Sequence, residues 1–143
     1  VQALTSSQAK RVICGGTTAN IVARQLGREI DVDLETGTDT VPAMGRINGI
    51  DLVTEGTLTV TKALEIIRDD EPSEQLKLRV DGASCLVVLL RDADEVKILL
   101  GRAMNPAHQN PNLPKTLGLK TQVVQALAEE LRRLGKQVQI EYF

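Results

Sequence analysis

The feature that most constrains the fold of this chain is its alternation of short apolar runs with segments of helical periodicity. Strand-like runs begin near Arg11, Glu29, Ile50, Val96 and Gln137, and helix-like segments lie between most of them. Strands that alternate with helices are typical of a mostly parallel sheet covered on both faces. We therefore predict an α/β fold, a Rossmann-like single-layer sheet of about five strands within one domain spanning residues 1–143.

The polarity of each run predicts its place in that sheet. The runs at Arg11, Ile50 and Val96 are apolar, which favours the centre of a parallel sheet. The runs at Glu29 and Gln137 alternate polar with apolar residues, as a strand with one solvated face does. We expect these two strands to lie at the two edges.

The helices and loops follow from apolar spacing and from glycine or proline. Helical spacing predicts helices from Thr17 to Gly27, from Thr57 to Arg68 and from Thr121 to Gly135, each apolar on one face. The continuous apolar run within residues 83–91 suits a buried strand or a buried helix, and we favour a helix. Residues 35–49 and 101–114 carry glycines and prolines without a sustained period, which indicates loops.

Composition excludes several functional classes. The only aromatic residues are Tyr142 and Phe143, the net charge is −2, and no basic run exceeds Arg132-Arg133, so a nucleic-acid interface is not expected. Neither a membrane-spanning run nor a signal peptide is evident, and we expect a cytoplasmic protein. The start at Val1 suggests a domain of a longer chain. Two distant cysteines lack metal-ligand spacing, and we expect reduced thiols, with no metal site.

The clearest candidate for ligand binding is the turn after the first strand. Its residues are Gly15, Gly16, Thr17, Thr18 and, inside the following helix, Asn20. Glycines let the backbone approach a ligand closely, and the N–H groups and dipole at a helix start favour an anion. The alternative is a tight structural turn capped by Thr17, because the spacing matches neither a Walker loop nor a full dinucleotide fingerprint.

Further polar residues follow two other predicted strands. Thr54, Glu55 and Gly56 follow the third strand, where the carboxylate is placed either to bind ligand hydroxyls or simply to face solvent near a helix start. Arg102, Asn105 and His108 follow the fourth strand. The guanidinium suits a phosphate or carboxylate, and the single histidine is either a general base or a surface residue. We predict that one of these three residues lies within about 10 Å of Gly16.

Three stretches of the sequence carry a family resemblance. They are residues 13–22, residues 49–56 with Leu58-Thr59, and residues 101–103 with Asn105-Pro106-Ala107-His108-Gln109-Asn110-Pro111. They resemble the C-terminal domain of bacterial stage II sporulation protein E-type (SpoIIE) phosphatases, in which it follows a PPM-type serine phosphatase domain. The resemblance covers about residues 10–143. It implies that the phosphatase activity belongs to the other domain, because Asp81-Gly82 is the only Asp-Gly pair here and a two-metal site needs several aspartates.

These observations lead to three competing functions. The first is a non-catalytic regulatory or sensory domain that binds a small anionic ligand and acts on an attached phosphatase domain. The second is a small enzyme acting on a phosphorylated or acyl substrate, with Glu55 or His108 as base. The third is an interaction domain whose loop or edge strand docks on the phosphatase or forms a homodimer. The sequence identifies no catalytic set and no cofactor.

Overall fold

The computed structural model describes residues 1–5, 8–101 and 113–142. These residues form six α-helices: α1 (Gln2–Thr5), α2 (Gly16–Leu26), α3 (Thr57–Arg68), α4 (Ser73–Leu76), α5 (Gly82–Asp92) and α6 (Leu113–Arg133). They also form six strands: β1 (Val12–Cys14), β2 (Asp31–Asp33), β3 (Met44–Arg46), β4 (Leu52–Thr54), β5 (Glu95–Leu100) and β6 (Gln137–Tyr142). The chain divides into two compact units, residues 1–89 and 90–143.

The first unit contains a four-stranded mixed sheet in the order β1-β4-β3-β2. β1 and β4 are parallel, with Cys14 level with Thr54, whereas β3 is antiparallel to both β4 and β2. Only five residues join β3 to β4, too few for the crossover that parallel neighbours require, so this connection must reverse the chain. The α/β class is confirmed, but a single, mostly parallel, five-stranded Rossmann-like sheet is not formed by the described residues.

β3 lies inside the segment that the sequence predicted to be a loop. Its middle residue is Gly45, and a Cβ there would meet side-chain carbons of Ile30 and Val53 at 3.3 Å each. The close packing of neighbouring side chains therefore favours a glycine here, and a glycine removes the apolar signal by which a strand is recognised. The sheet gains a strand at residues 44–46 that hydrophobic periodicity does not reveal.

The order of the strands corrects two further expectations. β1, predicted to be central from the run at Arg11, lies at one edge of the described four-stranded sheet, and the strand at Val96 lies in a separate sheet. β2 is at an edge, as expected, but Val32 and Leu34 are exposed although their alternation predicted a buried face. The central strands of this sheet are β4 and β3.

The core of the first unit is aliphatic. Strand and helix residues pack together in one buried cluster, comprising Ile13, Ala19, Val22, Ala23, Ile47 and Val53. α3 contributes a buried face of its own, and α5 begins with three consecutive buried residues. The helix predicted within residues 83–91 is confirmed.

The second unit is a strand-helix-strand arrangement of β5, α6 and β6. β5 and β6 are parallel in register from Glu95 opposite Gln137 to Leu100 opposite Tyr142, and α6 packs on β6. α6 begins eight residues before the predicted Thr121, with Pro114 in its first turn, where proline is tolerated. The Lys136 ammonium donates hydrogen bonds to the carbonyls of Arg91 and Ala93, at 2.7 and 2.6 Å. Its positive charge lies near the carbonyl end of α5, where a cation is favourable.

None of the helices described has both the length and the apolar character needed to cross a membrane. The expectation of a single domain and that of a cytoplasmic location stay predictions.

Candidate functional site

The site is built where β1 and β4 end side by side. The Gly15 amide donates to the Thr54 carbonyl at 2.8 Å, which extends the parallel pairing by one residue. A Cβ at Gly56 would lie 3.5 Å from the Gly15 Cα, so the two turns that follow the strands touch through their glycines. The structure thus brings together the two residue groups that the sequence placed after the first and third strands.

α2 begins directly at this junction. Gly15 is its N-cap residue with φ +139°, a conformation that residues with a Cβ rarely adopt, and it has no side chain with which to cap the turn. Gly16, Thr17 and Thr18 are exposed, and a Cβ at Gly16 would meet nothing within 4 Å. No acidic side chain lies in the first turn of α2. The partial positive charge of this helix start therefore faces open space.

α3 begins after the second turn and is partly capped. The Glu55 carboxylate accepts a hydrogen bond from the Thr59 amide, with Oε2 at 3.3 Å, so it satisfies one donor of the first turn of α3. Its other oxygen accepts no hydrogen bond from the described residues. The Thr54 hydroxyl donates to the Glu55 carbonyl at 2.8 Å. One carboxylate oxygen of Glu55 is therefore used within α3, and the other is available beside the turn.

Thr59, which the sequence analysis names only within the resemblance to SpoIIE-type phosphatases, lies in the first turn of α3. Its side chain is fully buried, and Oγ1 has no hydrogen-bond partner among the described residues. A buried hydroxyl without a partner is destabilising, because it has lost its water without replacement. Helical spacing marks Thr59 as a position on the buried face of α3, but no sequence signal distinguishes a satisfied threonine from an unsatisfied one.

Cys14 precedes the Gly turn and is unsuited to nucleophilic chemistry. Burial raises the pKa of its thiol above the ordinary value of 9.0, a hydrogen bond with the Thr54 side chain opposes this rise, and the Glu55 charge adds to it. The cysteine is free, as is Cys85. The neutral thiol is the favoured form at physiological pH, so the geometry supports the interpretation of Cys14 as a small, partly buried side chain.

α5 also begins beside β4, and its first turn is closed. A Cβ on Gly82 would lie 3.0 Å from the Thr54 Cγ2, so the helix start presses on the end of the strand. Asp81 caps the turn: Oδ1 accepts from the Ser84 amide and Oδ2 from the Ser84 hydroxyl, each at 2.9 Å. Asp81, which the sequence considered only as part of an Asp-Gly pair, is a buried helix cap.

The predicted contribution of the fourth strand lies outside the described residues. Arg102, Asn105 and His108 fall within residues 102–112, so their predicted distance from Gly16 stays a prediction. Asn20 is exposed on α2. Among the residues that are described, no group of three His, Cys, Asp or Glu side chains is arranged to hold a metal ion.

A half-open cleft of about 700 Å³ lies at the other end of β4, lined by residues that include Arg28, Asp31, Arg46 and Asp51. The Arg28 guanidinium donates to the Asn48 carbonyl, and Arg46 forms a 2.9 Å ion pair with Asp33. Because both cations are engaged and carboxylates lie beside them, this cleft is less suited to an anion than the start of α2.

Comparisons with known proteins assign no family. No protein-family model matches the chain, and the searches of curated proteins and of solved structures found no match either. The resemblance to SpoIIE-type phosphatases therefore stays a prediction.

Proposed function

We propose that this chain is a cytoplasmic regulatory or sensory domain that binds a small anionic ligand at the start of α2. The observation that carries the proposal is the pairing of two glycine turns: the ends of β1 and β4 adjoin, and the uncapped start of α2 opens beside them. Backbone N–H groups at such a start are preorganised donors for a phosphate or carboxylate.

Glu55 limits which anions fit. Its carboxylate lies on the neighbouring turn and would repel a bare anion, but its second oxygen can accept a hydrogen bond from a ligand hydroxyl. We therefore infer a ligand that carries both an anionic group and a hydroxyl, such as a sugar phosphate or a nucleotide. Arg102 remains a candidate to bind the same anionic group.

The binding part of the proposal is tested by titration with a sugar phosphate, a nucleoside monophosphate and inorganic phosphate. We expect the amide resonances of Gly16, Thr17 and Thr18 to shift most, and a ligand at one hundred times its dissociation constant to stabilise the fold by about 2.7 kcal/mol. Shifts confined to other parts of the chain, or no shifts at all, would contradict the proposal.

A matched variant separates the site from the fold. Gly16→Val places a side chain in the open space before the helix start and should weaken binding at least about tenfold with little change in stability. Gly118→Val is the control, since a Cβ at that glycine in α6 also meets nothing within 4 Å. Equal affinities in the two variants would make the turn purely structural.

The regulatory part of the proposal rests on the resemblance to SpoIIE-type phosphatases. In a chain that joins this domain to its PPM-type phosphatase domain, the ligand should change the rate of phosphoserine hydrolysis, and Gly16→Val should abolish that change. A ligand that binds without altering the rate would leave the binding proposal standing and exclude this form of regulation.

A further inference from the structure

The edge of the first unit's sheet at β2 has an unusual surface. Val32 and Leu34 are 61% and 81% exposed, and β2 pairs only with β3 in the described sheet. Large aliphatic side chains exposed beside an unpaired strand edge favour association with another chain. A groove of about 410 Å³ runs along this edge, lined by residues 31–35 and Arg46.

The same edge is acidic. Carboxylates alternate with the aliphatic side chains in the order Asp31, Val32, Asp33, Leu34, Glu35. Asp33 is engaged, since Arg46 lies 2.9 Å from it and its other oxygen accepts from the Glu35 amide. The side chains of Asp31 and Glu35 form no ion pair with any residue that the structure describes. The β2 edge, formed by the strand and the short 3-10 turn Leu34–Thr36 that follows it, thus presents two exposed aliphatic side chains and two carboxylates that form no ion pair.

A second segment of the first unit has the opposite pattern. Residues 77–80 read Lys-Leu-Arg-Val and follow α4, with Leu78 and Val80 exposed to 85% and 62%. Arg79 is paired with Glu71 at 3.0 Å, whereas Lys77 forms no ion pair with the residues described. The Leu78 and Arg79 amides donate to carbonyls of α4, which holds the segment as a defined turn.

We propose that the β2 edge binds residues 77–80 of a second copy of this chain. The aliphatic side chains of the two segments would bury one another, and Lys77 would face the carboxylates of Asp31 and Glu35. The two patches do not cover each other within one copy, because all four aliphatic residues are exposed. Each copy carries both patches, so a two-fold dimer in which both contacts form at once would use them reciprocally. The small patches predict an association of the weak, transient class.

Sedimentation of the whole chain between about 10 μM and about 1 mM tests the proposal, a range that covers weak association. We expect a monomer-dimer equilibrium that weakens as salt is raised. Leu34→Ser and Leu78→Ser should each weaken it about tenfold or more, since each removes a central aliphatic contact. A chain that stays monomeric throughout this range overturns the proposal, and the exposed edge would then have a different occupant.

A charge exchange makes the test specific. One variant combines Asp31→Lys with Glu35→Lys, and the other carries Lys77→Glu. In a dimer of either variant by itself, both contacts would place like charges against each other, so each variant should be monomeric. Mixed together, the two should form a heterodimer, because both contacts are then complementary. Glu129→Lys, an exposed change on α6, is the control and should associate as the unaltered chain does. A mixture of folded variants that stays monomeric overturns the proposal.

Discussion

α2 and α5 both begin against the end of β4, but their first turns are constructed differently. At α5, Asp81 is 9% exposed and satisfies both the amide and the hydroxyl of Ser84. At α2, the N-cap is Gly15, the next three residues are exposed, and no acidic residue lies in the turn. One helix start is completed by the side chain of its cap residue, whereas the cap residue of the other is a glycine that has no side chain.

The difference identifies which of two similar elements suits ligand binding. A helix start that serves packing alone is stabilised by a cap, since unsatisfied donors are destabilising. The start of α2 has no side-chain cap, which lowers the stability of the fold, but the same feature leaves room for an anion beside Gly15 and Gly56. We therefore expect changes at the start of α5 to alter stability without altering anion binding. Changes at the start of α2, apart from Gly15, should alter anion binding with little effect on stability.

The largest effect is expected at Gly15. With φ at +139°, Gly15→Ala forces a strained backbone and should lower the free energy of unfolding by about 2 to 3 kcal/mol. Gly16→Ala should instead raise it by about 0.5 kcal/mol, because the helical position accepts a Cβ in open space. Urea denaturation measures both. Equal effects at the two glycines would show that the turn is not held as described.

Asp81→Ala should cost about 2 kcal/mol, because it removes a cap and leaves the buried Ser84 without its acceptor. Asp81→Asn, which keeps one acceptor oxygen, should cost less. Chemical denaturation gives the stability, and phosphate titration of the same variants should give unchanged shifts at Gly16. Loss of phosphate binding in a folded Asp81 variant would mean that the two helix starts are not independent.

Thr59→Val should stabilise the fold by about 1 kcal/mol, since it removes a buried hydroxyl that has no partner and keeps the shape of the side chain. Thr54→Val is the matched control. Its hydroxyl donates to the Glu55 carbonyl, so the same change there should destabilise by a similar amount. Thermal unfolding measures both effects. Two unfolding temperatures that shift in the same direction would contradict this account.

The sequence predicted much of the secondary structure but less of the sheet. Helices α2 and α3 and the strand β6 follow from periodicity, because each leaves a repeating pattern of apolar residues. β5 was predicted from a short apolar run, and α5 was favoured over a strand although its apolar run suits both. β3 leaves no such pattern, since its central residue is a glycine against which Ile30 and Val53 pack closely. Without β3 the sequence could not predict the antiparallel connections, and β1 was placed at the centre.

For the site, the sequence placed candidate residues after the first and third strands, and the structure brings these two groups together. They meet because β1 and β4 are parallel, which places the carboxyl ends of both strands at one edge. The sequence could not distinguish the open start of α2 from the closed start of α5. Both begin with small residues beside β4, and only the folded structure shows that the Asp81 carboxylate accepts a hydrogen bond from Ser84.

The smallest effect, and the most direct probe of the open helix start, is the ionisation of Cys14. Because burial raises its pKa, folding favours the neutral thiol, and this contribution is complete below the unfolded pKa and is lost as pH rises through the folded pKa. The Glu55 charge raises the pKa further. Glu55→Gln should therefore lower the pKa of Cys14, and an anion bound at Gly16 should raise it.

The rate of iodoacetamide alkylation of Cys14 against pH, in a Cys85→Ala background, measures both changes. Phosphate that slows alkylation in the unaltered turn but not in Gly16→Val would place the anion next to Cys14. Phosphate that leaves both rates unchanged would place it elsewhere, and the contrast between the two helix starts would then be one of stability alone.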